Sequence, residues 1–223
     1  MENFCQWLHE QLEVLPMITF PFGVAELPDN GIYFFYEKGE FWGHGENKPR
    51  IVRVGINRGQ DNFISRIKEH FLLDESKIDF NNKMPKPSDR SIFRKNLGNA
   101  LLNMDKDDYL KVWKLDFMTR EHRDLFSHKR NINKEKGTET RITKIIRKEF
   151  SFRYICVDDQ EKRMGLEARL IGTLASCPLC QPSPGWLGNH SPEIAKRKSR
   201  LWQVQHLKDK GLTEEDKEDW GRC

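Results

Sequence analysis

Two runs of β-branched and aromatic residues, 32–37 and 51–56, constrain the fold of this chain more than any other feature. Each run has the length of a buried strand, and a Gly-containing segment joins them, so we expect an antiparallel hairpin. Side chains alternate between the two faces of a strand. The apolar residues of the second run therefore share one face, whereas Arg53 and Gly55 share the other. The sequence predicts a hairpin with one apolar face and one face that carries an arginine.

Most of the remaining chain has helical periodicity. Apolar residues recur at helical spacing in five segments, which are 2–15, 62–72, 91–104, 138–150 and 160–175. Further strands are expected at 111–117 and 152–157, whereas 74–90 and 120–137 lack a regular pattern. We therefore predict an α+β fold, with a small central β-sheet flanked by helices, a helical and strand insertion, and a C-terminal basic segment.

The net charge of +4 is unevenly distributed along the chain. Residues 1–49 carry a net charge of −6 and residues 205–223 a net charge of −2, which leaves +12 on residues 50–204. A basic body of this kind favours a polyanionic partner such as a nucleic acid. A solvated surface rich in lysine is the alternative, and the charge alone does not separate the two.

Hydropathy and cysteine usage narrow the class of protein. Hydrophobic residues make up 37% of the chain, and 14 Phe and 6 Trp supply enough bulk for a core. No apolar run approaches the roughly 20 residues that a membrane helix needs. The acidic N-terminus does not resemble a secretory signal. Five cysteines form an odd and sparse set, which fits a reducing cytoplasm, so we expect a cytoplasmic protein with no membrane partner.

Glu167 is the most informative single residue. In the helix expected at 160–175 it falls on the same stripe as Met164 and Leu170, because residues three apart are neighbours on a helix. A carboxylate on such a stripe must be paired, neutralised or bound to a metal, since burying it alone is costly. An ion pair with an arginine and a metal or catalytic role both remain open.

Two further pairs of residues can each bring their side chains together. Arg66 and His70 are spaced i, i+4, so their side chains can converge on one point, and a guanidinium suits phosphate oxygens. Tyr33 and Arg53 lie on the two strands of the hairpin and can share a face. A solvated helix face and a core tyrosine are the ordinary interpretations of these patterns.

The order of these residues resembles the GIY-YIG nuclease superfamily. The motif residues are Gly31-Ile32-Tyr33, a degenerate Arg53-Val54-Gly55 in place of Tyr-Ile-Gly, then Arg66, His70 and Glu167. The tail resembles that of uncharacterised bacterial GIY-YIG proteins, and the chain is distantly similar to GIY-YIG restriction endonucleases. On this resemblance residues 30–175 form the nuclease-like domain, with an insertion at about 74–150. Residues 1–29 then form an N-terminal helix and connection, and 176–223 a loop, basic segment and acidic tail.

The resemblance implies a mechanism for phosphodiester hydrolysis. Glu167 would hold Mg²⁺ or Mn²⁺, Arg66 would bind the scissile phosphate, and Tyr33 would activate water. A phenol with a pKa near ~10 is a poor base at neutral pH, so the charge of Arg53 would assist it. His70 would relay a proton or hold the tyrosine.

Three more residues are candidates for binding the substrate. Arg94 and Lys95, near the start of the helix at 91–104, are candidates for phosphate contacts. Asn189 is the candidate for the asparagine that the family tends to have downstream of its glutamate.

Cys177 and Cys180 have zinc-knuckle spacing. A structural zinc needs four ligands, and His190 is the only near candidate. We therefore predict two core thiols and no structural zinc.

Trp186 and Trp202 suit base stacking, but anchors in a loop-rich tail are the favoured interpretation.

The sequence as a whole predicts a metal-dependent endonuclease that acts on nucleic acid, most naturally double-stranded DNA. One active site cuts one strand, so a homodimer is a possibility. A non-catalytic nucleic-acid-binding module with the same fold is the first alternative. A zinc-stabilised interaction protein is the second.

Overall fold

Four strands form one antiparallel sheet in the computed structural model of this protein, which describes residues 3–45, 47–218 and 220. They are β1 (Ile18–Thr19), β2 (Gly31–Phe41), β3 (Pro49–Ile56) and β4 (Phe150–Cys156). Their order in the sheet is β1–β4–β2–β3, so β2 is an inner strand and β3 an edge strand. The predicted hairpin is confirmed, since β2 pairs with β3 and places Tyr33 opposite Gly55.

Helices make up most of the rest of the described chain. They are α1 (Phe4–Glu13), α2 (Phe63–Phe71), α3 (Pro87–Arg90), α4 (Ile92–Met104), α5 (Leu110–Trp113), α6 (Arg120–Phe126), α7 (Ile132–Glu149), α8 (Gln160–Ser176), α9 (Ile194–Ser199) and α10 (Glu214–Glu218). Short 3₁₀ turns lie at Glu75–Ile78, Ser127–Lys129 and Leu187–His190. None of the described helices combines the length and the apolar character that crossing a membrane requires. The predicted α+β class is confirmed.

The described chain divides into two compact units. The first contains the residues up to 64, 149–186 and those from 195 onward, and so holds the whole sheet with α1 and α8. The second contains 65–148 and 187–194 and is entirely helical.

The two faces of the β2–β3 hairpin differ as the alternation predicts. One face joins the hydrophobic core of the first unit, where Ile32, Phe34 and Val54 pack with buried residues of α1 and α8. Cross-strand partners lie on the same side of a sheet. The pairs Tyr33–Gly55 and Phe35–Arg53 therefore define the opposite side, which we call the Tyr33 face (Tyr33, Phe35, Arg53 and Gly55).

Two motif glycines are required by close approach. A Cβ on Gly55 would lie 2.4 Å from both Cζ and Oη of Tyr33, so the phenol ring lies directly across this residue. A Cβ on Gly31 would lie 2.4 Å from the carbonyl oxygen of Ile155 in β4. Gly55 therefore lets the Tyr33 ring lie across β3, and Gly31 lets β2 lie close to β4.

Two local predictions are wrong. Residues 111–117 are not a strand, because Leu110–Trp113 is the helical turn α5. The pattern arose from two wholly buried side chains, Trp113 and Phe117, whose spacing of four suits a helix as well as a strand. Residues 120–137 are not irregular, since α6 and the start of α7 lie there, with Thr119 as the N-cap of α6.

Buried ion pairs hold the second unit together. The pairs are Arg94–Glu139 (2.7 Å), Arg130–Glu135 (2.6 Å) and Lys86–Asp89 (2.8 Å), and all six side chains are wholly buried. Breaking a buried pair by removing one partner typically costs about 3–5 kcal/mol, because the remaining charge has no compensation. Three basic residues of this unit are therefore internal and neutralised by their partners.

Trp186 and Trp202 anchor the C-terminal part of the first unit. Both are buried, and both indole N–H groups donate to Oε2 of Glu37, at 2.9 and 3.0 Å. Their rings pack edge to face, with centroids 5.4 Å apart. The interpretation of these tryptophans as anchors is confirmed.

Burial raises the pKa of Glu37 to about 7, against the lowering effect of the two indole donors.

Replacing Gly55 by alanine tests the packing of Tyr33. The added methyl group collides with the phenol, so Gly55→Ala should lower the free energy of unfolding by about 1–3 kcal/mol, the usual range for overpacking. Urea denaturation measures the change. Gly23→Ala is the matched control, because a Cβ there has no neighbour within 4 Å. Equal midpoints for the two variants would contradict the described position of the ring.

The raised pKa of Glu37 predicts a dependence of stability on pH. Between about pH 4.5 and pH 7 the folded chain keeps a proton that the unfolded chain releases, so this group lowers stability as the pH rises. Over that window Glu37→Gln should gain about 3 kcal/mol relative to the wild type, since one pKa unit is worth about 1.4 kcal/mol. Denaturation at several pH values measures the difference, and parallel profiles for the two proteins would refute the prediction.

Candidate active site

Tyr33 lies near the beginning of β2 and is almost wholly buried. Its ring packs beside Phe35 and Phe63, with centroid distances of 5.0 and 6.0 Å. Since the ring crosses Gly55, the phenol oxygen lies over the edge strand β3. The motif tyrosine is thus held rigidly and points from the inner strand toward the edge of the sheet.

Arg53 lies on the Tyr33 face, as the strand alternation predicts. Its side chain is buried, and Nη1 donates to the carbonyl oxygen of Trp202 at 2.8 Å. Trp202 in turn donates its backbone N–H to Val52 (2.8 Å), and Val54 donates to the side-chain oxygen of Gln203 (2.8 Å). Residues 202–203 therefore cover the outer edge of β3 and fix the arginine beside it.

Glu167 lies on α8, half-buried at the margin of the apolar stripe. Met164, expected beside it in the stripe, is 48% exposed, and Leu166 takes the buried position instead. Burial raises the pKa of Glu167, while the charges of Arg53, His206 and Arg58 partly offset that shift. Within residues 3–45, 47–218 and 220 its carboxylate makes neither a hydrogen bond nor an ion pair, so the ion-pair interpretation fails for the described chain.

A hydrogen-bonded loop positions Arg58. Asn57 is wholly buried, and its side chain accepts from the N–H of Gly31 (3.0 Å) and donates to Asn30 (2.8 Å) and Gly59 (3.0 Å). The loop that leaves β3 is therefore tied to the beginning of β2, two residues before Tyr33.

The sequence analysis missed Arg58 and His206. A basic residue two positions after the end of a predicted strand was a usable signal for Arg58. Nothing in the local sequence marked His206, whose Nδ1 lies 2.6 Å from a carboxylate oxygen of Asp209. The two become relevant only because the fold brings their charge near Glu167.

Arg66 and His70 belong to the second unit, although α2 begins in the first. Arg66 is half-buried and donates to Glu69 (2.6 Å) and to the carbonyl of Arg90 (3.1 Å). His70 is wholly buried, with Nδ1 2.7 Å from the hydroxyl of Ser91. These surroundings suit a helix-stabilising role for the histidine.

The predicted substrate contacts lie in the second unit as well. Arg94 is wholly buried, and its guanidinium donates to Glu139, to Thr143 and to the carbonyl of His70. An arginine enclosed in this way has no surface for a phosphate, so Arg94 is not proposed as a substrate contact. Lys95 donates to the carbonyl of Leu115 (2.9 Å), and Asn189 lies half-buried in the 3₁₀ turn Leu187–His190.

A separate cluster contains potential metal ligands. Cys5, His44, Cys177 and Cys180 place one donor atom each within 4.8 Å of all the others. The prediction that Cys177 and Cys180 lack further ligands is wrong, because Cys5 and His44 are remote in sequence but adjacent in the fold. His190, the candidate from sequence, belongs to the second unit.

A comparison with protein families identifies the family of the chain. The family model described as a GIY-YIG domain matches residues 10–215, which include every motif residue named above. No curated protein and no solved structure matches the chain significantly. The match spans nearly the whole chain, and the chain therefore belongs to the GIY-YIG domain family, whose members are generally endonucleases.

Proposed function

We propose that this protein is a metal-dependent endonuclease that hydrolyses phosphodiester bonds, most naturally in double-stranded DNA. The observation that carries the proposal is Glu167, a half-buried carboxylate without a hydrogen bond or ion pair among the described residues. Burial of a charge without a partner is costly, and a structural role offers no compensation for that cost here. A carboxylate kept in this state is typical of a functional site.

The charges near Glu167 suit an anionic substrate. Arg53, Arg58 and His206 are the groups whose charge acts on this carboxylate. A phosphate group brings the negative charge that such a basic environment lacks, and guanidinium groups recognise phosphate oxygens well. The surroundings therefore support phosphate chemistry.

The residues at this site fit Mg²⁺ or Mn²⁺. A carboxylate oxygen is the ligand that these ions prefer, and they commonly keep several waters and use one or two protein carboxylates with substrate phosphates. In the described part of the chain no group of three acids, histidines or cysteines includes Glu167, so Glu167 would hold the ion with waters and phosphate oxygens. When bound, the ion supplies a Lewis acid for the charge on the leaving oxygen.

Tyr33 moves the proton in the proposed reaction. The phenolate oxygen of Tyr33 accepts a proton from water as the water oxygen bonds to phosphorus and the bond from phosphorus to the leaving sugar oxygen breaks. Arg53, on the same face, stabilises the phenolate that precedes this step. The arginine replaces the tyrosine of the usual second motif, and it contributes charge in place of a hydroxyl group.

Arg66 and His70 complete the proposal. Arg66 binds the scissile phosphate with its planar guanidinium, for which it exchanges its present contacts with Glu69 and Arg90. His70 is given a positioning role, because its ring is buried against Ser91 and Phe93 and supports α2. Lys95 and Asn189 remain proposed substrate contacts.

One active site of this kind cuts one strand, so double-strand cleavage needs a homodimer or two binding events. We place the activity in the cytoplasm.

Replacing Glu167 by glutamine tests the carboxylate. Glu167→Gln should lower nicking of supercoiled plasmid by roughly two to three orders of magnitude, the range for losing one transition-state-stabilising group. Its thermal stability should equal or exceed that of the wild type, because a partly buried charge is removed. Rates in Mg²⁺ and Mn²⁺, together with melting curves, provide both measurements.

Glu161→Gln is the matched control, since Glu161 is an exposed residue in the first turn of the same helix and should leave the rate unchanged. Cleavage by Glu167→Gln at the wild-type rate would contradict the assignment. If wild-type protein binds DNA but cuts neither plasmid nor structured RNA with either ion, the chain is the non-catalytic binding module.

Replacing Arg66 by lysine tests the phosphate contact. Arg66→Lys keeps the charge but loses the planar pair of donors, so cleavage should fall at least tenfold. Stability should change by less than about 1 kcal/mol, because its partner Glu69 is a partly exposed neighbour on the same helix. Lys68→Arg, an exposed swap on α2, is the control. Full activity of Arg66→Lys, or loss through unfolding alone, would remove Arg66 from the site.

A further inference from the structure

Three segments that are distant in sequence bring four sulfur and nitrogen donors together in the first unit. Cys5 lies in the first turn of α1, His44 lies between β2 and β3, and Cys177 and Cys180 directly follow α8. The four donor atoms all lie within 4.8 Å of one another. None of these residues takes part in the proposed phosphodiester chemistry.

The distances fit a tetrahedral metal site. The sulfur atoms of Cys5 and Cys180 are 3.7 Å apart. Two thiolates bonded to one zinc ion at about 2.3 Å lie about 3.8 Å apart in a tetrahedron. His44 Nε2 and Cys177 Sγ are closer, at 3.0 Å, which is the distance of a direct hydrogen bond. A zinc ion in place of that proton widens the separation only to about 3.5 Å.

Neighbouring residues orient the histidine ligand. The side-chain amide of Asn3, the N-cap of α1, lies 3.1 Å from Nδ1 of His44, which leaves Nε2 facing the sulfur atoms. His9 is adjacent but is not a ligand. Its Nδ1 lies 2.8 Å from the carbonyl of Cys5, and its Nε2 accepts from the N–H of Ile51 at 3.4 Å.

The backbone brings the two halves of the cluster into close approach. A Cβ on Gly43 would lie 1.9 Å from the carbonyl oxygen of Leu179, so only glycine lets the segment that carries His44 lie against the turn between Cys177 and Cys180. Cys5, Cys177 and Cys180 are buried, and His44 is half-buried. The cluster is therefore closed and preformed.

We infer that Cys5, His44, Cys177 and Cys180 bind one structural Zn²⁺ ion. Four protein ligands fill a tetrahedral site and leave no open position for substrate, which is typical of structural zinc and not of catalytic zinc. The soft thiolates select zinc over Mg²⁺, so this site is chemically distinct from the proposed site at Glu167. Bound zinc ties α1 and the end of α8 to the β2–β3 hairpin.

The metal content of the full chain tests this inference. Wild-type protein purified from zinc-supplemented medium under reducing conditions should contain one zinc per chain by elemental analysis and native mass spectrometry. Replacement by Co²⁺ should give the intense visible absorption of a tetrahedral site and thiolate-to-cobalt charge transfer. A mercurial reagent that modifies thiols should release the zinc, and chelation should lower the melting temperature.

Variants locate the site. His44→Ala and Cys180→Ser should reduce zinc content and alter the cobalt spectrum, whereas His190→Ala, which removes the other histidine near the C-x-x-C pair in sequence, should match the wild type. Folded, reduced wild-type protein that contains no zinc and takes up neither Zn²⁺ nor Co²⁺ would overturn the inference, as would a Cys5–Cys180 disulfide in its place. Both results come from the wild type, so they decide the question even if the variants unfold. Neither depends on whether the protein cleaves DNA.

Discussion

The pairing of β2 with both of its neighbours is the constraint on which the rest of the structure depends. One register places Tyr33 opposite Gly55 on one side and opposite Tyr154 on the other. The same register puts Arg53 on the Tyr33 face and places Ile32 and Phe34, on the opposite face of β2, in the core. A slip by one residue would exchange the two faces. The pairing that builds the core therefore also builds the candidate active site.

Sequence reasoning succeeded where a pattern was local. The hairpin, five helices and the α+β class followed from periodicity, and the face of Arg53 followed from alternation. It failed at 111–117, where two buried side chains four apart fit two kinds of element. It also failed at the thiol cluster, because Cys5 and His44 carry no spacing signal toward Cys177 and become its neighbours only through the sheet and α8.

Not every basic residue of this chain is available to a polyanion. Arg94, Arg130 and Lys86 are each enclosed with an acid in an ion pair of the second unit, which removes three cations from the surface but leaves the net charge of +12 on residues 50–204 unchanged. Arg163 is also buried and donates to the carbonyls of Val157 and Gly59. The charge that acts on Glu167 comes instead from a few residues at the edge of the sheet. The position of a basic residue therefore matters more for the candidate active site than the number of such residues.

The cover on β3 has a consequence for the biosynthesis of the protein. The hairpin is complete once residue 56 has been made, yet its outer edge has no partner until Trp202 and Gln203 arrive. The carbonyl acceptor that Trp202 offers to Arg53 arrives equally late. Between the synthesis of residue 56 and that of residue 203, a hairpin that has already formed thus displays an open strand edge, which is a template for pairing with other chains. The ribosome must deliver the chain as far as Gln203 before the second motif reaches its final surroundings.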